Sequence, residues 1–513
     1  MEMSYPTYRH KSRLVCLLAA LLSLSAVVSA QNLNGSWTGW MESNDFFGAI
    51  RIDLQPAGST VTLYYAGDQR SGAIEGLKVN GSEIAFEGKL QPSGRFKGTI
   101  DHDRIGGTVE ILNRSGAITS TASWSVRRIY TPIASLPTAA SSVSQIGLPK
   151  PTGAMLIGRR LFFWTDESRG EELTDDPNDH RRIFVQLWYP AIKGTGSDAA
   201  SYFPTQVAAA YEPNSIPDLH LTALSDARIA KGRFPLIIFS PGLGTDPLRY
   251  ASIIEELVSH GYVVAAINHP YDSGSVMWPD GKKIQPAKKW DSEAPKDWSA
   301  DERKAFMDSR RIGWARDASF VVDQVKSLDI ARSIDIDQLG MLGHSFGGQA
   351  ASIVCASDHR FKTCANLDGL AQGNAVLPAA DGTTMTQPFL FFTKVPAVTD
   401  SELQLMGIDR SEYLEREHKR LVERWNPSFK KQIAAIPSGG YLIVYPGITH
   451  MTFSDAPLTD EHATEPLKTR LERIELINKY ILAFFDQELR GKRSPLLNSP
   501  TGASGLLIEF LKK

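Results

Sequence analysis

The 513-residue chain is poor in cysteine: it has Cys16, Cys355 and Cys364 and no others. That number excludes a small scaffold held together by disulfides. Excess charge of either sign is also missing, with 55 Lys and Arg against 57 Asp and Glu for a net −2. Without residues 1–30 the net is −4, because that segment holds Arg9, Lys11 and Arg13 against Glu2. A nucleic-acid partner would call for a basic excess, so none is expected. Beyond the first thirty residues no run is long and apolar enough to span a bilayer. No metal-ligand set and no cofactor motif is read from the chain. The remaining composition, 42% hydrophobic and 22% charged, is that of a globular enzyme long enough for two or three domains.

The apolar run near the start, Leu14 to Val28, follows the basic stretch Arg9-His10-Lys11 and ends in the small-residue site Val28-Ser29-Ala30. It is about 15 residues long, against roughly 20 for a spanning helix, so a cleaved export signal over 1–30 is expected. The mature protein would then be secreted or periplasmic. Cys16 leaves with the signal. In an oxidising compartment Cys355 and Cys364 form one disulfide; two separate buried thiols are the alternative.

Residues 31–130 alternate apolar and polar over short runs, such as Ile50, Ile52 and Leu54, then Val61, Leu63 and Tyr65. Asn80-Gly81, Ser93-Gly94 and Ser115-Gly116 separate them. About eight strands in this span predict a small all-β barrel or sandwich. Gly35-Ser36-Trp37 resembles the start of lipocalin-like barrels, which implies an apolar ligand cavity; a closed, side-chain-filled barrel is the other reading. Residues 131–153 carry Pro132, Pro137, Pro149 and Pro151 among Ala and Ser, the composition of a linker. From 154 to 513 strand and helix patterns alternate, which predicts an α/β domain with a mostly parallel sheet.

Within it, Leu339-Gly340-Met341-Leu342-Gly343-His344-Ser345-Phe346-Gly347-Gly348 reads as a buried strand, a Gly-x-Ser-x-Gly turn and a helix. A turn that tight needs residues without side chains two before and two after the serine. It leaves Ser345 exposed at a strained tip, directly above a helix N-terminus that favours negative charge. This is the α/β-hydrolase elbow, in which nucleophile, acid and histidine follow one another along the chain. His450, in the loop after the last predicted core strand (Tyr441 to Tyr445), is the candidate base. His462 lies in an acidic stretch, and His344 is expected to face away from the serine. Asp368 ends the strand after the nucleophile helix and is followed by glycine, as a buried strand-tip carboxylate would be. Asp400, several residues into the loop after the next strand, is the competing acid. Phe346 and Leu243, the latter in Pro241-Gly242-Leu243-Gly244 after the strand Phe234–Ser240, are the candidate oxyanion donors through their backbone N–H groups.

These residues resemble the platelet-activating-factor acetylhydrolase family, plasma and bacterial serine type. The likeness rests on Gly343-His344-Ser345-Phe346-Gly347-Gly348, Leu367-Asp368-Gly369, Phe239-Ser240-Pro241-Gly242-Leu243-Gly244, Leu187-Trp188-Tyr189-Pro190 and His450-Met451-Thr452-Phe453. Pro241 departs from the family pattern, where histidine is frequent. The resemblance covers about residues 145–490. It implies hydrolysis of a small-molecule or lipid ester, such as short acyl chains on phospholipids, without calcium or another cofactor, and with transient contact at a membrane surface. A general carboxylesterase or polyester hydrolase shares the same machinery. An exported lipid- or glycan-binding protein on an inactive hydrolase scaffold is the reading from outside enzymology. Two inserts bear on substrate. In Ser401 to Ile436 the helical spacing of Leu414, His418, Leu421, Val422 and Trp425 fits a lid or a helix packed on the sheet. Tyr271 to Trp298, with Trp278, Trp290 and Trp298, leaves a strand end where it would border the acyl pocket.

Overall fold

The computed structural model describes residues 33–129 and 147–511 except for short internal stretches, the longest being 211–218, 288–297 and 499–506. The expected export signal over 1–30, most of the linker, Trp290, Leu421, Val422, Trp425 and His462 lie outside the described residues. The chain divides into two compact units. One is the N-terminal β region together with Val398–Tyr413; the other comprises residues 137–397 and 414–513. The division at 136/137 falls in the proline-rich linker. Residues 398–413, expected to belong to the α/β domain, instead cluster with the β unit.

The first unit is a closed barrel of eight strands: β1 (Gly35–Ser43), β2 (Phe47–Leu54), β3 (Thr60–Tyr65), β4 (Asp68–Asn80), β5 (Glu83–Gly88), β6 (Ser93–Asp101), β7 (Arg104–Leu112) and β8 (Ile118–Ile129). Each strand is antiparallel to the next, and β1 closes on β8. The period of two explains the closure: Ile50, Ile52 and Leu54 point inward, while Arg51 and Asp53 pair at 2.8 Å on the outer face. Aromatic rings fill the interior. Phe86 stacks on Phe96 at 4.7 Å, and Trp124 meets both edge-on. The barrel reading therefore holds over the sandwich, with a filled core. A helix, Asp400–Met406, packs on β1 and β2 and buries Leu403, Leu405 and Met406, while Tyr413 stacks on Phe47.

The second unit holds β9 (Leu156–Gly170), β10 (His180–Ala191), β11 (Ala199–Ser201), β12 (His220–Ser225), β13 (Phe234–Ser240), β14 (Val263–Asn268), a hairpin of β15 (Val276–Met277) and β16 (Lys283–Ile284), β17 (Ile334–His344), β18 (Phe361–Leu367), β19 (Phe389–Pro396), β20 (Gly440–Ile448) and β21 (Leu507–Leu511). Apart from the hairpin they form one sheet in the order β11-β12-β9-β10-β14-β13-β17-β18-β19-β20-β21. Pairing is parallel from β14 to β20 and antiparallel at β9–β10, β10–β14 and β20–β21. Both faces are covered, which is why β13 reads as an uninterrupted apolar run. Ile237 and Phe239 pack with helices Ala251–Ser259 and Leu467–Arg490. Leu236 and Ile238 face helices Ala300–Val325 and Phe346–Ser357. Both inserts also contribute to packing. Phe429 and Ile433 of helix Asn426–Ala434 are buried beneath the sheet, and Trp278 turns into the core against Phe163.

Candidate active site

β17 delivers the chain to Ser345, whose backbone takes φ 53° and ψ −117° before the helix Phe346–Ser357 begins. Few L-residues adopt that conformation, and here the surroundings enforce it. A Cβ on Gly343 would lie 2.1 Å from the Gly347 carbonyl oxygen, and one on Gly347 would lie 2.3 Å from that of Ser240. Only glycine at both positions lets strand, turn and helix close on one another. The Ser345 N–H donates to the Leu367 carbonyl at 2.8 Å, which fastens the turn to the end of β18. Ser345 is half-buried between fully buried neighbours, so the turn opens at the serine.

Asp368 follows β18 immediately, also at positive φ (52°). Its N–H donates to the Phe392 carbonyl at 2.8 Å. Its Oδ2 lies 2.6 Å from His450 Nδ1 and 2.9 Å from Lys394 Nζ, and its Oδ1 accepts from the Thr393 hydroxyl at 2.6 Å. Burial alone would raise this carboxyl. The Lys394 ammonium and the His450 hydrogen bond outweigh it and hold Asp368 well below the usual carboxylate range. Asp400 is placed quite differently. It opens a helix rather than sitting in a loop, its side chain is 93% exposed, and it pairs with Arg410 at 2.6 Å in the barrel unit.

His450 starts a short 3₁₀ turn, His450–Phe453, just beyond β20. Thr449 and Thr452 cap that turn reciprocally. Among the described residues no hydrogen bond joins the Ser345 hydroxyl to the His450 ring; such contacts are often long in an unliganded site and tighten with substrate. A neighbour sets the ring's position. His344, expected to face away, is buried with its ring 4.5 Å from that of His450. Its Nε2 donates to the His450 carbonyl at 3.0 Å, and its Nδ1 accepts from the Tyr250 hydroxyl at 2.8 Å. The Tyr250 oxygen in turn accepts from the Gly242 N–H at 3.0 Å. Burial, reinforced by the nearby His450, holds His344 well below the ordinary histidine value, consistent with a neutral ring that donates at one nitrogen and accepts at the other.

The loop after β13 lies across the start of the helix that follows Ser345, because the Gly347 N–H donates to the Pro241 carbonyl at 3.1 Å. On its far side the Gly244 N–H donates to the Asp272 carbonyl at 2.7 Å. The Leu243 and Phe346 side chains share a small apolar cluster with Trp314 and Ala350. The fold thus brings Ser345, Asp368, His450, Leu243 and Phe346 to one end of the sheet, beyond the C-terminal ends of its parallel strands. Sequence reasoning missed Thr393, Lys394 and Tyr250. A lysine closing an apolar strand (Phe389 to Lys394) was the one available signal. Under the helix that follows the serine, Cys355 and Cys364 are joined as a disulfide, Cα atoms 6.4 Å apart.

A family model for platelet-activating factor acetylhydrolase, isoform II, matches residues 140–298, the segment that carries Leu243. A probable 1-alkyl-2-acetylglycerophosphocholine esterase of Arthroderma benhamiae is 25% identical over 399 residues, covering 71% of this chain and 93% of that protein. The platelet-activating factor acetylhydrolase of Canis lupus familiaris is 24% identical over 395 residues, 68% of this chain and 79% of that one. Among solved structures, a ferulic acid esterase from Streptomyces cinnamoneus superposes with TM-score 0.54 at 24% identity, covering 72% of this chain and all of that one. At that identity the match speaks for the fold, which is that of an α/β-hydrolase. Fold and relatives together define an ester hydrolase. Within that class the chain resembles the platelet-activating factor acetylhydrolase family.

Proposed function

We propose that the protein hydrolyses short-chain acyl esters, those of platelet-activating-factor-like phospholipids among them, through an acyl-enzyme on Ser345. The observation that carries this reading is the 2.6 Å pairing of His450 Nδ1 with a buried, ionised Asp368 beside a serine held in a strained elbow. Ser345 Oγ attacks the ester carbonyl while His450 Nε2 takes its proton; Asp368 fixes the tautomer and stabilises the imidazolium. The N–H groups of Leu243 and Phe346 receive the oxyanion. His450 then returns the proton to the departing alcohol, and water enters by the same route to release the acid. The names of the relatives support an acetylated glycerophosphocholine as substrate. The N-terminal signal and the Cys355–Cys364 disulfide support an exported protein.

A fluorophosphonate probe read by intact mass, followed by peptide mapping, tests the mechanism: one adduct on Ser345 is expected, and none on Ser345→Ala. Labelling elsewhere, or none, removes the mechanism. A series of nitrophenyl esters from acetyl to long chains, run beside a 2-acetyl phospholipid, tests the substrate. Preference for long acyl chains or rejection of the phospholipid leaves a general carboxylesterase.

A further inference from the structure

A second serine–histidine–aspartate set lies behind the site, and no role in the chemistry above uses it. Ser240 Oγ is 2.6 Å from His269 Nε2, and His269 Nδ1 is 2.7 Å from Asp317 Oδ2. All three side chains are fully buried. Ser240 ends β13 fully buried, so no acyl group reaches it and it is not a nucleophile. The proton positions follow from the partners. Asp317 only accepts: Arg181 meets it at 2.7 Å and Arg169 at 2.8 Å. Burial would raise Asp317, and the guanidinium of Arg181 more than reverses this, keeping it ionised. His269 is lowered by burial and stays neutral, so Nδ1–H donates to Asp317 and Nε2 accepts the Ser240 hydroxyl proton.

The set connects to both oxyanion donors. Ser240 sits three residues before Leu243, so its bond to His269 pins the stem of that loop. The His269 ring stacks on Trp314 at 3.8 Å with 9° between the planes. Trp314 Nε1 donates to Asp272 Oδ2 at 2.9 Å, and the Asp272 carbonyl holds Gly244 on the other side of Leu243. The Trp314 ring also meets Phe346 edge-on at 4.9 Å. Burying an ionised Asp317 with Arg181 and Arg169 is expensive, and a merely space-filling role would be served as well by apolar residues. We infer that Ser240, His269, Asp317 and Trp314 form a positioning relay that sets the spacing of the Leu243 and Phe346 N–H groups for the oxyanion. This rests on the mechanism proposed above.

The test uses the full-length protein and variants Ser240→Ala, His269→Gln and His269→Leu. Losing one oxyanion donor outright costs about 10²–10³ in kcat, so misplacing one through Ser240→Ala should cost about tenfold, with KM within about twofold. His269→Leu should cost more, and His269→Gln, which keeps a donor and an acceptor, should recover part of it. The decisive readout is a trifluoromethyl ketone, whose adduct with Ser345 places an oxyanion between the two N–H groups. Its Ki should rise across the variants in proportion to the fall in kcat/KM, in samples of matched folded fraction. Unchanged Ki with activity following thermal stability alone would overturn the relay. If His269→Leu does not fold, Ser240→Ala and His269→Gln decide. Fluorophosphonate labelling of wild-type Ser345 is the separate control: its absence defeats the underlying mechanism, whereas its presence with flat Ki values defeats only the relay.

Discussion

Replacing Asp368 by asparagine separates the chemical role of this carboxylate from its structural one. The side chain has three partners: His450 Nδ1 at 2.6 Å, Lys394 Nζ at 2.9 Å and the Thr393 hydroxyl at 2.6 Å. Asparagine keeps the shape and the Thr393 contact but removes the charge. The imidazole then loses the acceptor that fixes its tautomer, and kcat should fall about 10⁴-fold, equivalent to about 5.5 kcal/mol of transition-state stabilisation. Stability should fall as well, because Lys394, 19% exposed, is left facing a neutral amide. Breaking one partner of a mostly buried pair costs about 3 kcal/mol at the upper end of what is expected here. The double variant Asp368→Asn/Lys394→Met removes the stranded charge, so it should regain much of the stability and none of the rate. Steady-state kinetics on acetyl and butyryl esters and urea denaturation read the two effects separately. Asp400→Asn, at an exposed helix start, should leave kcat within about twofold. If Asp368→Asn keeps kcat within tenfold of wild type, the reasoning about this acid fails.

His344→Phe preserves ring volume but removes the hydrogen bonds to the His450 carbonyl and the Tyr250 hydroxyl. At about 1 kcal/mol each this should lower kcat about thirtyfold, and wild-type kinetics would contradict the link. Cys355→Ala/Cys364→Ala opens a short loop under the nucleophile helix and should cost about 2–3 kcal/mol in urea denaturation; equal midpoints would rule out a stabilising bridge. Asp455 is pushed up to about 7 by burial, although the Ser252 side chain and backbone bond it. The folded state therefore keeps a proton that the unfolded chain releases above its ordinary value of 3.8, so this group's contribution declines as pH rises from about 4 to about 7. Asp455→Asn removes that decline: its Tm relative to wild type should be higher at about pH 8 than at about pH 5, and a constant difference would refute the assignment.

The positions of the elbow, the acid and the histidine were legible because local sterics and strand periodicity dictate them. Gly343 and Gly347 are demanded by contacts within a few residues, and Asp368 by an apolar run that stops at a core strand tip. What stayed hidden depends on sheet order. Thr393 and Lys394 reach Asp368 only because β19 lies beside β18. Tyr250 and His344 are 94 residues apart and meet through folding alone. The helical spacing of Leu414, His418, Leu421, Val422 and Trp425 announced an apolar face without saying what it would cover, and the last three lie outside the described residues. Elsewhere in that insert Asp400–Met406 covers the barrel strands, and Asn426–Ala434 the sheet.

The passage of residues 398–413 through the barrel unit has a consequence for how such a chain can be inherited. The polypeptide builds the barrel, leaves it, completes the sheet as far as β19, returns to contribute one helix and Tyr413, and leaves again. No single crossover in the gene separates the two units. A copy ending at the linker would lack Leu403, Leu405 and Met406 against β1 and β2, and one beginning there would carry those side chains with nothing to cover them. Gain or loss of the barrel would therefore require a second change between β19 and β20, and a barrel-free relative should be shortened or rewritten there.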